Sequence, residues 1–147
     1  MSSNAFWVFG SLLQLGDGGS PTEIFATIAE VRDITPPSME RDVIDVSSHD
    51  STGGWKEFIS GWRDGGEVEF EVNWLPTNAT HNETTGFMKT FYTNTVHNWK
   101  LVLQNNLAVV TWSGFLTKPE PDLQIEEQAQ MKVTMKVSWQ VLIDSTP

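Results

Sequence analysis

The sequence predicts a mainly β domain of about six or seven strands with one helix. Three observations carry this: strict period-two alternation over 66–74, the same alternation near the C-terminus, and turn residues placed between alternating segments. The first alternation, at Ala26–Ile34, is weak and follows the turn Gly16-Asp17-Gly18-Gly19; a second weak one spans Arg41–Val46, after Pro36-Pro37. In Gly66–Trp74, Val68, Phe70, Val72 and Trp74 share one face while Glu67, Glu69, Glu71 and Asn73 share the other, the pattern of a half-buried strand. After Pro76, Thr77 or Asn78 is placed to cap a helix running to about Asn94. Phe87, Met88, Phe91 and Tyr92 would lie on its inner face, and Gly86 with several threonines lowers its intrinsic propensity. Trp99–Leu103 and Leu107–Thr117 alternate on either side of Asn105-Asn106, and Pro119-Glu120-Pro121 reads as the next turn. Met131 to Ile143 then alternates as one long strand, with only Leu142 breaking its polar face.

The 19 residues from Ser47 to Gly65 read as a loop, longer than a hairpin connection needs. Trp55, Phe58, Ile59 and Trp62 argue against disorder there, and large apolar residues on an exposed loop suggest a partner surface. The competing structural reading folds the loop back as a lid over its own core.

At 147 residues the chain is long enough for one domain with one core, spanning 1–147, with 1–10 and 144–147 as candidate flexible arms. Nine Lys plus Arg against 19 Asp plus Glu leave a formal charge of -10, which opposes any role in gripping nucleic-acid phosphates. The absence of Cys removes disulfides, thiolate nucleophiles and Cys-ligated metal sites. The first cation is Arg32, so the charged start of a secretory signal is missing, and no apolar run is long enough to span a membrane. The sequons at Asn78 and Asn82 are accordingly expected to carry no glycan.

Motifs for catalysis are absent. His49, His81 and His97 are far apart and in no metal-ligand spacing. His49-Asp50 has the makings of an acid/base pair or half of a metal site, but an Asx turn or N-cap explains Asp50 more simply. A hydrolase using Asp45, His49 and Asp50 lacks any group to orient a nucleophile. Glu67, Glu69 and Glu71 read as a solvated acidic face rather than glycosidase carboxylates, and Trp74, Trp99, Trp112 and Trp139 read as core. No catalytic, cofactor or metal site is expected, and the chain is not expected to be an enzyme.

One string is more specific. Arg41-Asp42-Val43-Ile44-Asp45-Val46-Ser47-Ser48-His49-Asp50-Ser51, then Gly53-Gly54-Trp55-Lys56-Glu57-Phe58-Ile59-Ser60-Gly61 and Asp64-Gly65-Gly66-Glu67-Val68, closely resembles the major tail tube proteins of long-tailed bacteriophages and related gene-transfer particles. Supporting matches are Leu15-Gly16-Asp17-Gly18-Gly19, Ile28-Ala29-Glu30-Val31 and Asn73-Trp74-Leu75-Pro76-Thr77, so the likeness spans Leu12 to about Val141. Two features depart from the family pattern: Trp62, where a smaller aliphatic residue is expected, and the Trp-rich start at Phe6-Trp7.

The resemblance implies a β-sandwich or partial barrel of about six to eight antiparallel strands with one flanking α-helix, similar to the ring-forming tube protein of type VI secretion. It implies hexameric rings stacked into a hollow tail tube through which DNA passes into the host. The implied partners are further copies of the chain, the tape measure protein, and the tail tip and tail terminator proteins, in a virion assembled from subunits made in the host cytoplasm. For stacking, the candidate loop residues are His49, Asp50, Gly53, Gly54, Trp55, Phe58, Ile59 and Trp62. Glu67, Glu69 and Glu71 are the candidate lumen row, where carboxylates would repel the DNA backbone. The rival reading is a carbohydrate-binding β-sandwich on a virion or cell surface, with Trp55 and Trp62 as stacking platforms.

Overall fold

A computed structural model describes Ala5 and residues 9–146. Among the described residues ten strands and one short α-helix form, in the order β1 (Leu12–Gly16), β2 (Phe25–Thr27), β3 (Val31–Thr35), β4 (Glu40–Asp45), β5 (Phe58–Asp64), β6 (Glu67–Asn73), α1 (Phe87–Tyr92), β7 (His97–Val102), β8 (Val109–Asp122), β9 (Gln130–Val137) and β10 (Leu142–Asp144). All pairings are antiparallel. The fold is mostly β and sandwich-like, as expected.

The sandwich has one strand common to both leaves. β8 pairs with β7 and β10 over 109–114, then with β9 over 114–122. One leaf is therefore β2-β1-β7-β8 with β10 beside it, and the other is β8-β9-β6-β3. The crossing point is Gly114, where an added Cβ would lie 2.6 Å from the Lys136 carbonyl oxygen. Only glycine lets the two backbones approach this closely. Leu13, Trp99, Leu101 and Trp112 face inward from the first leaf. They meet Val68, Phe70, Val72, Met131, Val133 and Met135 from the second, in a single core. Phe70 and Trp99 touch across it with ring centroids 6.1 Å apart, and the Trp112 indole N–H donates to Met135 Sδ at 3.3 Å.

Several elements differ from the sequence reading, each for a local reason. The Ala26–Ile34 strand is two strands, because Glu30 adopts φ +59 and turns the chain between β2 and β3. The long C-terminal strand is interrupted after Val137. Gly114 faces Val137 while Thr111 faces Leu142, so five steps on one side span three on the other as the sheet turns its corner. Trp139 sits in that bulge at φ +97 and is 84% exposed, so it is not core.

Pro119 and Pro121, read as a turn, lie inside β8 opposite Val133 and Met131. A proline cannot donate to β9, so both ring nitrogens face the opposite side, where this half of β8 has no strand partner.

The helix is also shorter than expected. Residues 77–86 form turns instead, because Asn82 Oδ1 accepts the backbone N–H groups of Thr84, Thr85 and Gly86 and holds them out of helical register. Asn78 Oδ1 likewise accepts from the Thr80 N–H and hydroxyl. Of the aromatic stripe, Phe87 is buried edge-to-face on Phe70, whereas Phe91 and Tyr92 stack on each other at the surface.

Candidate assembly surfaces

The expected 47–65 loop is only partly a loop. Phe58 to Asp64 form β5, which pairs with β4 as a two-stranded ribbon separate from the sandwich. Its apolar residues fall on both faces rather than alternating with polar ones, which hid the strand in the sequence. Val43 and Phe58 share one side; Ile44 and Ile59, directly paired, share the other, and Trp62 sits in the register shift between the Val43–Ser60 and Arg41–Arg63 pairs. Every residue of β4 is exposed, and on β5 only Gly61 is partly covered. Trp62 is 85% exposed.

The ribbon continues the β3–β6 pair beyond a bend. Thr35 opposes Glu69 and, past the bend, Glu40 opposes Asp64. Glycine is required at the bend. Gly66 holds φ +73, where a Cβ would meet the Ser38 carbonyl oxygen at 2.6 Å, and a Cβ on Gly65 would strike Val137 and Val141. The Gly66 N–H donates to Asp64 Oδ1 at 2.8 Å, and this bond, followed by Lys136, holds the Asp64 carboxyl below its ordinary range.

The tip is a hydrogen-bonded cap. Asp45 Oδ1 accepts the Ser47 N–H, and Ser47 Oγ accepts the Glu57 N–H at 2.7 Å. The Ser51 hydroxyl donates to Glu57 Oε2. Gly53 and Gly54 take φ +66 and +73 and carry Trp55, 79% exposed, at the apex. Asp50 is not the turn-maker expected: among the described residues its side chain accepts no backbone bond, and Asp45 with the three serines fills that role. His49 and Asp50 are exposed and, among the described residues, share no hydrogen bond. The eight candidate residues thus divide into His49, Asp50, Gly53, Gly54 and Trp55 on the cap and Phe58, Ile59 and Trp62 on the ribbon. Neither Trp55 nor Trp62 lines either of two surface depressions. One lies between Glu23, Asn98, Ser113 and Trp139, the other between Trp74, His81 and Tyr92.

Glu67, Glu69 and Glu71 lie together on the side of β6 facing away from the core, as expected. Sequence reading missed their neighbours. Lys132 and Lys136 stand opposite Glu71 and Glu67 on β9. Glu69 pairs with Lys132 at 3.6 Å, and Glu71 with Arg32 at 3.4 Å. The signal was present in the sequence as the polar positions of the 131–143 alternation. Strand order, which puts β9 beside β6, was not. Among the described residues no three His, Cys, Asp or Glu side chains converge as a metal site, and no helix is long and apolar enough to cross a membrane.

The fold is that of known tail structures. The tail of an empty gene transfer agent particle with C6 symmetry superposes with a TM-score of 0.68 at 21% identity, covering 89% of this chain and 92% of that one. A chain of the anti-feeding prophage baseplate gives 0.64 at 12% identity, covering 97% of each. The SPP1 tail tube gives 0.60 at 8% identity, covering 92% of this chain and 76% of that one. No curated protein matches the sequence. Residues 7–141 match the family model described as lambda phage tail tube protein, so the chain belongs to the lambda phage tail tube protein family.

Proposed function

We propose that the chain is the major tail tube subunit of a virion, closing head-to-tail into hexameric rings that stack into a hollow tube for DNA passage. The observation that carries this reading is the β4–β5 ribbon. A lone two-stranded ribbon is marginal in water, and this one displays Val43 and Phe58 on one face, Ile44 and Ile59 on the other, and the exposed Trp62 at its bulge. Every described residue of the ribbon strands except Gly61 is exposed, so further copies of the chain are the natural cover. A contact between different surfaces of like subunits is heterologous, and it extends into rings and stacks rather than ending at a dimer.

Lateral closure uses the second leaf. β3 and the distal half of β8 are its two edges, and joining them between neighbours would make a continuous inner barrel. The Glu67, Glu69 and Glu71 face would then line the lumen. The ribbon, with Trp55 at its tip, would reach the next ring. The tape measure protein would occupy the lumen during assembly, and tail tip and terminator proteins would cap the two ends.

Negative-stain microscopy of purified protein tests the reading. Rings and tubes of uniform diameter are expected, and their loss in Phe58→Ser/Trp62→Ser while the protein stays folded. Strict monomers at all concentrations, or tubes unaffected by that pair of changes, would overturn it.

A further inference from the structure

Charge is distributed over the molecule in an uneven way. Among the described residues there are four ion pairs: Arg32–Glu71 at 3.4 Å, Lys118–Glu120 at 3.3 Å, Lys132–Glu69 at 3.6 Å and Lys136–Asp64 at 3.1 Å. All four lie on the outward face of the β8-β9-β6-β3 leaf or at its rim. The other five cations, Arg41, Lys56, Arg63, Lys89 and Lys100, form none with the described residues. On this leaf alone, every cation has a carboxylate.

The register adds a surplus of acid. Asp33 opposes Glu71, and Asp122 lies two residues beyond Glu120 on the same side. Four cations stand against seven carboxylates (Asp33, Asp64, Glu67, Glu69, Glu71, Glu120 and Asp122), a local charge of -3. An all-acid face would set like charges opposite one another on adjacent strands, which is destabilising, and ring closure would multiply the repulsion. Lysines on β9 relieve that. Unpaired, however, they would bind phosphate and release its counterions.

We propose that this face is a surface of guarded cations, built to let a polyanion slide. Each Lys or Arg that stabilises the sheet is held by a carboxylate, so passing phosphates meet no free cation. The inference rests on the reading that this leaf lines the tube. It gives Glu69, Glu71 and Glu120 a specific role: they mask Lys132, Arg32 and Lys118 rather than only adding negative charge.

The test compares two triple variants of the full chain with equal change in net charge. Glu69→Gln/Glu71→Gln/Glu120→Gln removes three masks; Glu83→Gln/Glu126→Gln/Glu127→Gln removes three exposed carboxylates that form no ion pair with the described residues. A labelled 20-base-pair DNA duplex is titrated against dilute protein by fluorescence anisotropy, and against assembled tubes by co-sedimentation with nuclease digestion. The mask variant is expected to bind DNA at least tenfold more tightly than wild type or the control variant at low salt. Its log affinity should fall against log salt with a slope of up to about 2.7, about 0.9 for each of three phosphates met. DNA held by its tubes should resist nuclease. Equal binding by the two triple variants would overturn the guarded-cation proposal, and the dilute-protein measurement decides this even if a variant fails to assemble. Binding by the mask variant with nuclease-sensitive DNA on its tubes would support the masking and overturn the placement of this face in the lumen.

Discussion

His81 is fully buried with both ring nitrogens bonded. Nδ1 accepts the Leu75 N–H at 3.1 Å and Nε2 donates to the Ala29 carbonyl at 2.6 Å, while the ring packs on Phe87. It ties the turn before α1 to the strand connection at residue 29, a role its isolated position in the sequence did not suggest. Alanine there would leave a part-buried N–H and C=O unpaired, each toward the lower end of the ~1–3 kcal/mol such a group costs, so His81→Ala should lose about 2–4 kcal/mol in urea unfolding. Carboxylates set the acid limit. Asp17 is held below its ordinary value by the N–H groups of Gly19 and then Ile24, Asp45 by Ser47, and Asp64 by Gly66 and then Lys136. Because the folded-state values are depressed, their stabilisation is complete above the ordinary carboxyl value near 3.8 and is lost as pH falls through the folded values. The triple change Asp17→Asn/Asp45→Asn/Asp64→Asn should therefore flatten the acid limb of a stability-against-pH curve while lowering stability at neutral pH. An unchanged limb would show that other groups set it.

At the scale of elements, strands with one wet face were legible, and those exposed on both faces or bent at corners were not. Val68, Phe70 and Val72 alternate with glutamates because one side of β6 packs on the core, so periodicity alone located it. β5 escaped because Phe58, Ile59 and Trp62 leave neither face polar, a pattern that makes sense for a strand covered from outside its own chain. β8 escaped beyond Thr117 because an edge tolerates Pro119 and Pro121 where a central strand does not. Those prolines leave the outer edge with carbonyls but no donors at two positions, so a neighbouring strand joining there can donate to Pro119 and Pro121 but accept nothing from them. The ribbon, lacking any core of its own, should exchange its backbone amides quickly in the monomer and become protected in the tube, while β6 and β9 stay protected in both. Hydrogen exchange followed by mass spectrometry reads this directly. For the same reason Trp62→Ser should change monomer stability by no more than about 0.5 kcal/mol, as expected for an exposed site, and yet impair assembly.

For the whole molecule, charge and apolar ribbon act against each other. Six copies at -10 carry -60 in a ring, so assembly needs both screening of that repulsion and burial of the ribbon faces. Light scattering should therefore rise with salt and with protein concentration, and a response flat in both would contradict the balance. The acidic composition was legible from residues 1–147 as a string, as was the concentration of large apolar residues in the segment around Trp55. Its geometry was not, because the bend at Gly65-Gly66 depends on contacts with Val137, Val141 and Ser38 that lie far away in sequence or across the hairpin. The most direct test of the assembly account is a cryo-EM reconstruction of the tube at side-chain resolution. It should show six-fold rings, Val43, Phe58, Trp62, Ile44 and Ile59 all buried against other copies, and the Glu67, Glu69 and Glu71 face toward the bore. A tube in which the ribbon stands free in solvent, or in which that face points outward, would contradict it.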